Sequence, residues 1–205
     1  MPLVPRPSKI VCIGRNYLDH AKELGNPVPD QEPLFFLKPP SSLIGEGDHI
    51  VLPPQSAQVE YEGEIGLIIG SRLSRASEDD VRSAIRAIVA LNDVTARDLQ
   101  RKDSQWSRAK GFDTFCAVGE PYYGPVDLEK IEVVTRLNGV ERQRGSSSQM
   151  IFSIAFCLSF VSHIMTLEPG DLVATGTPAG IGRLSSGDVV EVEVLGFSRV
   201  RNPVR

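Results

Sequence analysis

The sequence predicts a β-rich α+β fold in one domain. Most of the chain falls into short runs of β-branched and aromatic residues bounded by Gly, Pro, Asn or Asp, which is strand composition. Helix signals are confined to a few short segments. The 205 residues, 41% hydrophobic and 23% charged, contain no repeat, low-complexity tract or linker, so residues 1–205 are expected to share one core.

In chain order, the first strand is "KIVCIG" (9–14). A short helix over "LDHAKEL" follows, ended by Gly25 and Pro27. Strands come next at "PLFFLK" (33–38), "HIVLP" (49–53) and 59–69. "SEDDVRSAIRA" starts a helix, with Ser77 as N-cap and acidic residues in its first turn. "IRAIVALNDVT" (85–95) and "FCAVG" (115–119) are strands, and Asn138-Gly139 between "IEVVTRL" and "VERQR" marks a two-residue hairpin. A helix over 150–165 follows the serines at 146–148 and stops before Pro169-Gly170. "DLVATG" (171–176) and "DVVEVEVLG" (188–196) complete the strands. Two long loops, 25–33 and "PPSSLIGEGD", have the length of functional loops.

A net charge of −4 argues against nucleic acid as partner and favours a small molecule. Residues 150–167 lack Asp, Glu, Lys and Arg, but Ser153, Ser159, Ser162, His163 and Thr166 interrupt them and basic flanks are missing. A core helix is expected there, with no membrane span. The N-terminus has no secretory h-region. Cys12, Cys116 and Cys157 sit among apolar neighbours without metal-type spacing, which predicts buried, reduced thiols and a cytoplasmic location.

The stretch "VEYEGEIGLIIG" crowds Glu60, Glu62 and Glu64 at the mouth of an apolar strand. Strand alternation points Glu62 and Glu64 to one face, where like charges cost energy unless something positive lies between them. An ion-pair network or a solvated face would satisfy that, and so would a cation. A second apolar strand ends in Asp93, where a third carboxylate can converge. Hard oxygen ligands suit Mg²⁺ or Mn²⁺, with Glu60 as a supporting neighbour. In the basic segment that follows, Arg101, Lys102 and Arg108 read as a solvated face. Arg97 lies one helical turn beyond Asp93 if the strand runs into a helix. Lys110 stands beside a glycine and before an apolar strand, less typical of a surface lysine.

"CIGRNYLDHAKEL", "FLKP", "YEGEIGLIIG", "NDVTARDLQ", "AKGFDTFCAVG", "SSSQMIFSIAFCLS" and "PGDLVATGTPAGIG" occur in that order. Together they resemble the fumarylacetoacetate hydrolase family, especially its small single-domain branch of acylpyruvases, oxaloacetate decarboxylases or tautomerases, and hydroxyheptadienedioate isomerases and decarboxylases. The resemblance implies a mixed β-sheet roll of the C-terminal-domain type in a homodimer. It implies Mg²⁺ or Mn²⁺ on Glu62, Glu64 and Asp93, and an anionic 2-oxo acid substrate. It assigns substrate contacts to Arg97, Gln100 and Thr177, and to Gly14 and Arg15 on an access loop. Lys110 matches the active-site lysine. His20 and Glu23 share a helix face at i and i+3, and in this branch such a dyad activates water from a lid, here about residues 17–33. His49 and His163 match no site and read as structural.

The implied activity is hydrolysis of acylpyruvates to pyruvate and a carboxylic acid, with oxaloacetate decarboxylation as a side reaction. The alternatives are an isomerase, decarboxylase or tautomerase of hydroxyheptadienedioate-like diacids, and a non-catalytic cation-dependent binding protein.

Overall fold

A computed structural model describes residues 6–23, 25, 28–29 and 31–205. Strand β1 (Ile10–Gly14) leads into helix α1 (Leu18–Glu23), then β2 (Leu34–Lys38) and β3 (Leu43–Ile44). Strands β4 (Val59–Tyr61) and β5 (Gly63–Ile69), helix α2 (Glu78–Ala84), and strands β6 (Ile85–Asp93) and β7 (Thr95–Ala96) follow. Two short helices, α3 (Arg97–Lys102) and α4 (Ser107–Lys110), precede β8 (Cys116–Val118). The rest is β9 (Glu132–Leu137), β10 (Val140–Ser146), α5 (Ile154–Ile164), β11 (Leu172–Ala174), β12 (Gly182–Arg183), β13 (Val189–Val194) and β14 (Ser198–Pro203).

A seven-stranded mixed sheet runs β2-β1-β11-β5-β6-β8-β3, with β1 parallel to β11 and β3 parallel to β8. A four-stranded antiparallel sheet, β10-β9-β13-β14, and a small sheet, β12-β4-β7, complete the architecture. Alternation along each strand sorts the large sheet's residues into two buried faces. On one, Val11, Ile65, Leu67 and Ala90 pack against Leu158 and Val161 of α5 and Val192 and Val200 of the second sheet. On the other, Ile10, Cys12, Val89, Leu91, Cys116 and Leu172, all from this one sheet, pack on each other. The sheet curls into a roll to allow that. Each such fully buried aliphatic side chain contributes roughly 1.5–3 kcal/mol.

Several sequence expectations need correction. The stretch 49–53 is no strand: Ile50 makes a single bridge to Val204, and Pro53-Pro54 stops the pairing. The stretches 59–69 and 85–95 are each broken, because β4 and β7 pair in the small sheet while β5 and β6 pair in the large one. Arg97 therefore opens α3 after a change of sheet and does not continue a helical turn from Asp93. The long helix begins at Ile154, capped by Ser153, while the serines at 146–148 belong to a separate 3-10 turn.

Other expectations match. Ser77 forms a capping box with Asp80. Asn138 and Gly139 both take positive φ, 53° and 80°, as the tightest hairpins require. The three cysteines are free and buried, and burial pushes the Cys116 and Cys157 thiols up to about 12. Among the described residues no helix is long and apolar enough to cross a membrane.

Candidate active site

Two neighbouring chain segments turn the same corner at one place. Passing from the small sheet to the large one, the chain crosses at Glu62; passing back, it crosses at Asp93 and Val94. The crossings lock to each other: the Asp93 N–H donates to the Glu62 carbonyl (2.8 Å), and the Glu62 N–H donates to Asn92 Oδ1 (3.0 Å). Glu64 lies opposite Leu91 in the ladder, and Asp93 is two residues beyond Leu91, on the same inner face of the roll. Glu62, Glu64 and Asp93 consequently each bring a carboxylate oxygen within 4.8 Å of the others, all buried.

Cations surround them. The Lys110 ammonium donates to Glu62 Oε2 (2.8 Å) and Asp93 Oδ2 (2.6 Å). The Arg97 guanidinium donates to carboxylate oxygens of Glu60 (2.7 Å) and Glu62 and to the side-chain Oε1 of Gln100. Glu60 thus supports the site through Arg97. On its own, burial would raise the Glu62 pKa; Lys110 and Arg97 outweigh that and hold it well below the usual carboxylate range. Glu64 moves the other way. Burial raises it, the charges of Asp93 and Glu62 raise it further, and its backbone partner, the Gly176 N–H at 2.6 Å, does not offset them. Close-set hard oxygens with one carboxylate short of positive charge suit a divalent cation.

A cavity of about 340 Å³ opens over these carboxylates. Gly14, Arg15, His20, Arg97, Gln100, Lys110 and Thr177 all line it. His20, only 4% exposed, places Nδ1 3.3 Å from Glu23 Oε2, and the Gly180 N–H holds the same carboxylate (3.1 Å to Oε1). Arg15 has a φ of 57°, unusual for a residue with a side chain, and that turn sends its guanidinium over the Trp106 ring. The Thr177 hydroxyl donates to the Gly63 carbonyl (2.8 Å), so donating to a substrate carboxylate requires it to rotate. Of the predicted lid, Leu24, Asn26, Pro27 and Asp30 lie outside the described residues. His163 is on α5 and bonds the Ser159 carbonyl, and neither it nor His49 lines the cavity.

Sequence reading missed four contributors. Lys38 donates to Asp93 Oδ1 (2.5 Å), and its position in "FLKP" at the end of an apolar strand was the available signal. Phe36 and Trp106 form an apolar wall, edge to face at 5.3 Å between centroids. Arg101 is exposed, as expected of a solvated face, yet lines the mouth. No sequence period marks these positions.

Residues 9–205 match the family model described as the fumarylacetoacetate (FAA) hydrolase C-terminal domain. The chain belongs to the fumarylacetoacetate hydrolase family. It is 38% identical over 213 residues to the human mitochondrial oxaloacetate tautomerase FAHD2A, covering 98% of this chain and 68% of that one. The 2-hydroxyhepta-2,4-diene-1,7-dioate isomerase of Mycobacterium marinum superposes with a TM-score of 0.90 at 38% identity, covering 98% of this chain and 76% of that one. The fumarylpyruvate hydrolase of Pseudomonas aeruginosa, solved with Mn²⁺ and pyruvate, gives a TM-score of 0.90 at 29% identity, covering 98% and 90%. The family's fold, a β-rich α+β architecture with a curled mixed sheet, is the one described above, and its members include hydrolases, isomerases and tautomerases.

Proposed function

We propose that this protein is a Mg²⁺- or Mn²⁺-dependent hydrolase that splits a carbon–carbon bond in acylpyruvate-type 2,4-dioxo acids, with oxaloacetate decarboxylation as a side reaction. The observation that carries this reading is the buried His20–Glu23 pair on the wall of the cavity that holds Glu62, Glu64 and Asp93. A base that has a carboxylate behind it and faces a site for a 2-oxo acid is what water activation needs. A divalent cation on the three carboxylates would supply Lewis-acid stabilisation of negative charge on the substrate's oxygens.

The chain's own residues do the rest. Gly14, Arg15, Gln100 and Thr177 orient the anionic substrate, while Arg97 keeps Glu62 and Gln100 in place. With Nδ1–H given to Glu23, His20 takes a water proton on Nε2. The resulting hydroxide attacks the distal carbonyl, and collapse of the adduct breaks the carbon–carbon bond, leaving the acid and the enolate of pyruvate. Lys110 stabilises developing oxyanion charge. The proton that His20 took from water then goes to the enolate carbon, which gives pyruvate and restores the base.

A second reading, an oxaloacetate tautomerase or an isomerase of hydroxyheptadienedioate-like diacids, has its own support. Arg15 and Arg101 add positive charge at the mouth, suited to a second carboxylate, and relatives carry those names. Pyruvate release from acetylpyruvate and from oxaloacetate separates the readings. His20→Ala should lower acetylpyruvate cleavage by on the order of 10²–10⁴ and spare oxaloacetate decarboxylation, which needs no attacking water. Glu62→Ala should abolish both. A wild type that leaves acetylpyruvate intact while tautomerising or isomerising diacids would establish the second reading. Cytoplasmic location and a homodimer belong to the same proposal, and sedimentation at twice the 22.4 kDa chain mass tests the dimer.

A further inference from the structure

Gln143 is 1% exposed, on a hairpin strand whose other residues near it face solvent. A bulge puts it there. The β9–β10 register shifts between Glu141 and Gln143, so Arg142 is an extra residue; Val140, Glu141 and Arg142 are exposed in succession before alternation resumes. The bulge turns an amide inward that regular alternation would have placed elsewhere.

Both ends of that amide are used. Its Oε1 accepts from the Gly63 N–H at 3.0 Å. Its Nε2 donates to Thr177 Oγ1 at 2.8 Å and to the Pro178 carbonyl at 2.7 Å. Thr177 Oγ1 in turn donates to the Gly63 carbonyl. The ring closes on Gly63, the residue between Glu62 and Glu64. Gly63 itself has no room for a side chain, since a Cβ there would sit 1.9 Å from Thr135 Oγ1 on β9. The β9–β10 hairpin therefore presses on the ligand corner and ties it to the 176–178 loop, whose Gly176 N–H also binds Glu64.

We propose that Gln143 is a positioning residue that couples the cation-binding corner to the substrate-binding Thr177 loop. This rests on the functional reading above. Its carbonyl end fixes the backbone between two carboxylate ligands, and its amide nitrogen fixes the hydroxyl and carbonyl of the loop. Partners that orient ligands in this way typically govern metal affinity by about 10- to 100-fold.

Gln143→Met keeps the length of the side chain and removes both hydrogen-bonding groups. Titration with Mn²⁺, followed by free-ion electron paramagnetic resonance, should show affinity weakened by about 10- to 100-fold, with oxalate binding to the Mn²⁺-loaded protein weakened too. Leu158→Ala, a cavity in the distant α5 packing, serves as the stability control and should lose thermal stability while keeping wild-type Mn²⁺ affinity. Gln143→Glu keeps an acceptor for Gly63 but has no N–H for Thr177, so Mn²⁺ binding should hold while oxalate binding falls. Should Gln143→Met fail to fold, that split in Gln143→Glu decides alone. Gln143 variants that bind Mn²⁺ and oxalate like wild type would overturn the proposal, as would an equal Mn²⁺ loss in Leu158→Ala. A wild type that binds no Mn²⁺ would instead bring down the functional reading, and this proposal with it.

Discussion

Glu62 and Glu64, separated only by Gly63, are driven in opposite directions. Glu62 is held ionised by Lys110 and Arg97, whereas burial and two neighbouring negative charges raise Glu64. Their effects on stability follow from linkage. Without a cation the fold binds the Glu64 proton more tightly than the unfolded chain does. That contribution is fully present below the ordinary carboxylate pKa and is lost as pH rises through the raised value. Glu62 has the opposite sign: its contribution is fully present above the ordinary carboxylate pKa and is lost progressively as pH falls from there through the lowered value. A cation needs Glu64 ionised, so protons compete with it. The gain in melting temperature given by Mn²⁺ should therefore grow as pH rises above the ordinary carboxylate range, and Glu64→Gln should abolish the trend. A gain that shrinks with rising pH would contradict the assignment. At this scale the cluster of Glu62, Glu64 and Asp93 was legible, because carboxylates at the ends of apolar strands are conspicuous. Lys38 and Gln143 were not. One is a lone lysine that matters only through a partner 55 residues away, and the other depends on a bulge with no sequence signature.

Helix α1 is short, six residues, and carries the proposed base and its carboxylate. A helix of that length is marginal unless something docks it. Its ties include the Glu23 contact with the Gly180 N–H and the bridge from Tyr17 to Met150. The segment 17–33 should accordingly exchange amide hydrogens readily in the free protein and become protected when Mn²⁺ and oxalate are added. Strong, equal protection in both states, measured by hydrogen exchange, would remove the lid. Among the elements, those with local signals were readable: the Ser77 capping box, the Asn138-Gly139 turn and the long apolar strands. The breaks at Glu62 and Asp93 were not, because a change of sheet is set by distant partners. The C-terminal strand β14 alternates buried and exposed residues, yet "SRVRNP" carries too few apolar residues to announce itself.

At the scale of the molecule, the curled sheet brings β1, β5, β6 and β8 around one interior, with the carboxylates at its rim. Sequence order alone does not give that closure; the roll was expected from family resemblance, and the strand register then explains why Glu62, Glu64 and Asp93 meet. The central claim is that these three side chains hold one divalent cation, which receives a 2-oxo acid in the cavity above. The most direct measurement is anomalous diffraction from crystals soaked with Mn²⁺ and oxalate. A single anomalous peak within carboxylate bonding distance of Glu62, Glu64 and Asp93, with oxalate beside it facing His20 and Lys110, is the predicted result. Mn²⁺ bound by other residues, or oxalate bound away from this cavity, would contradict the claim.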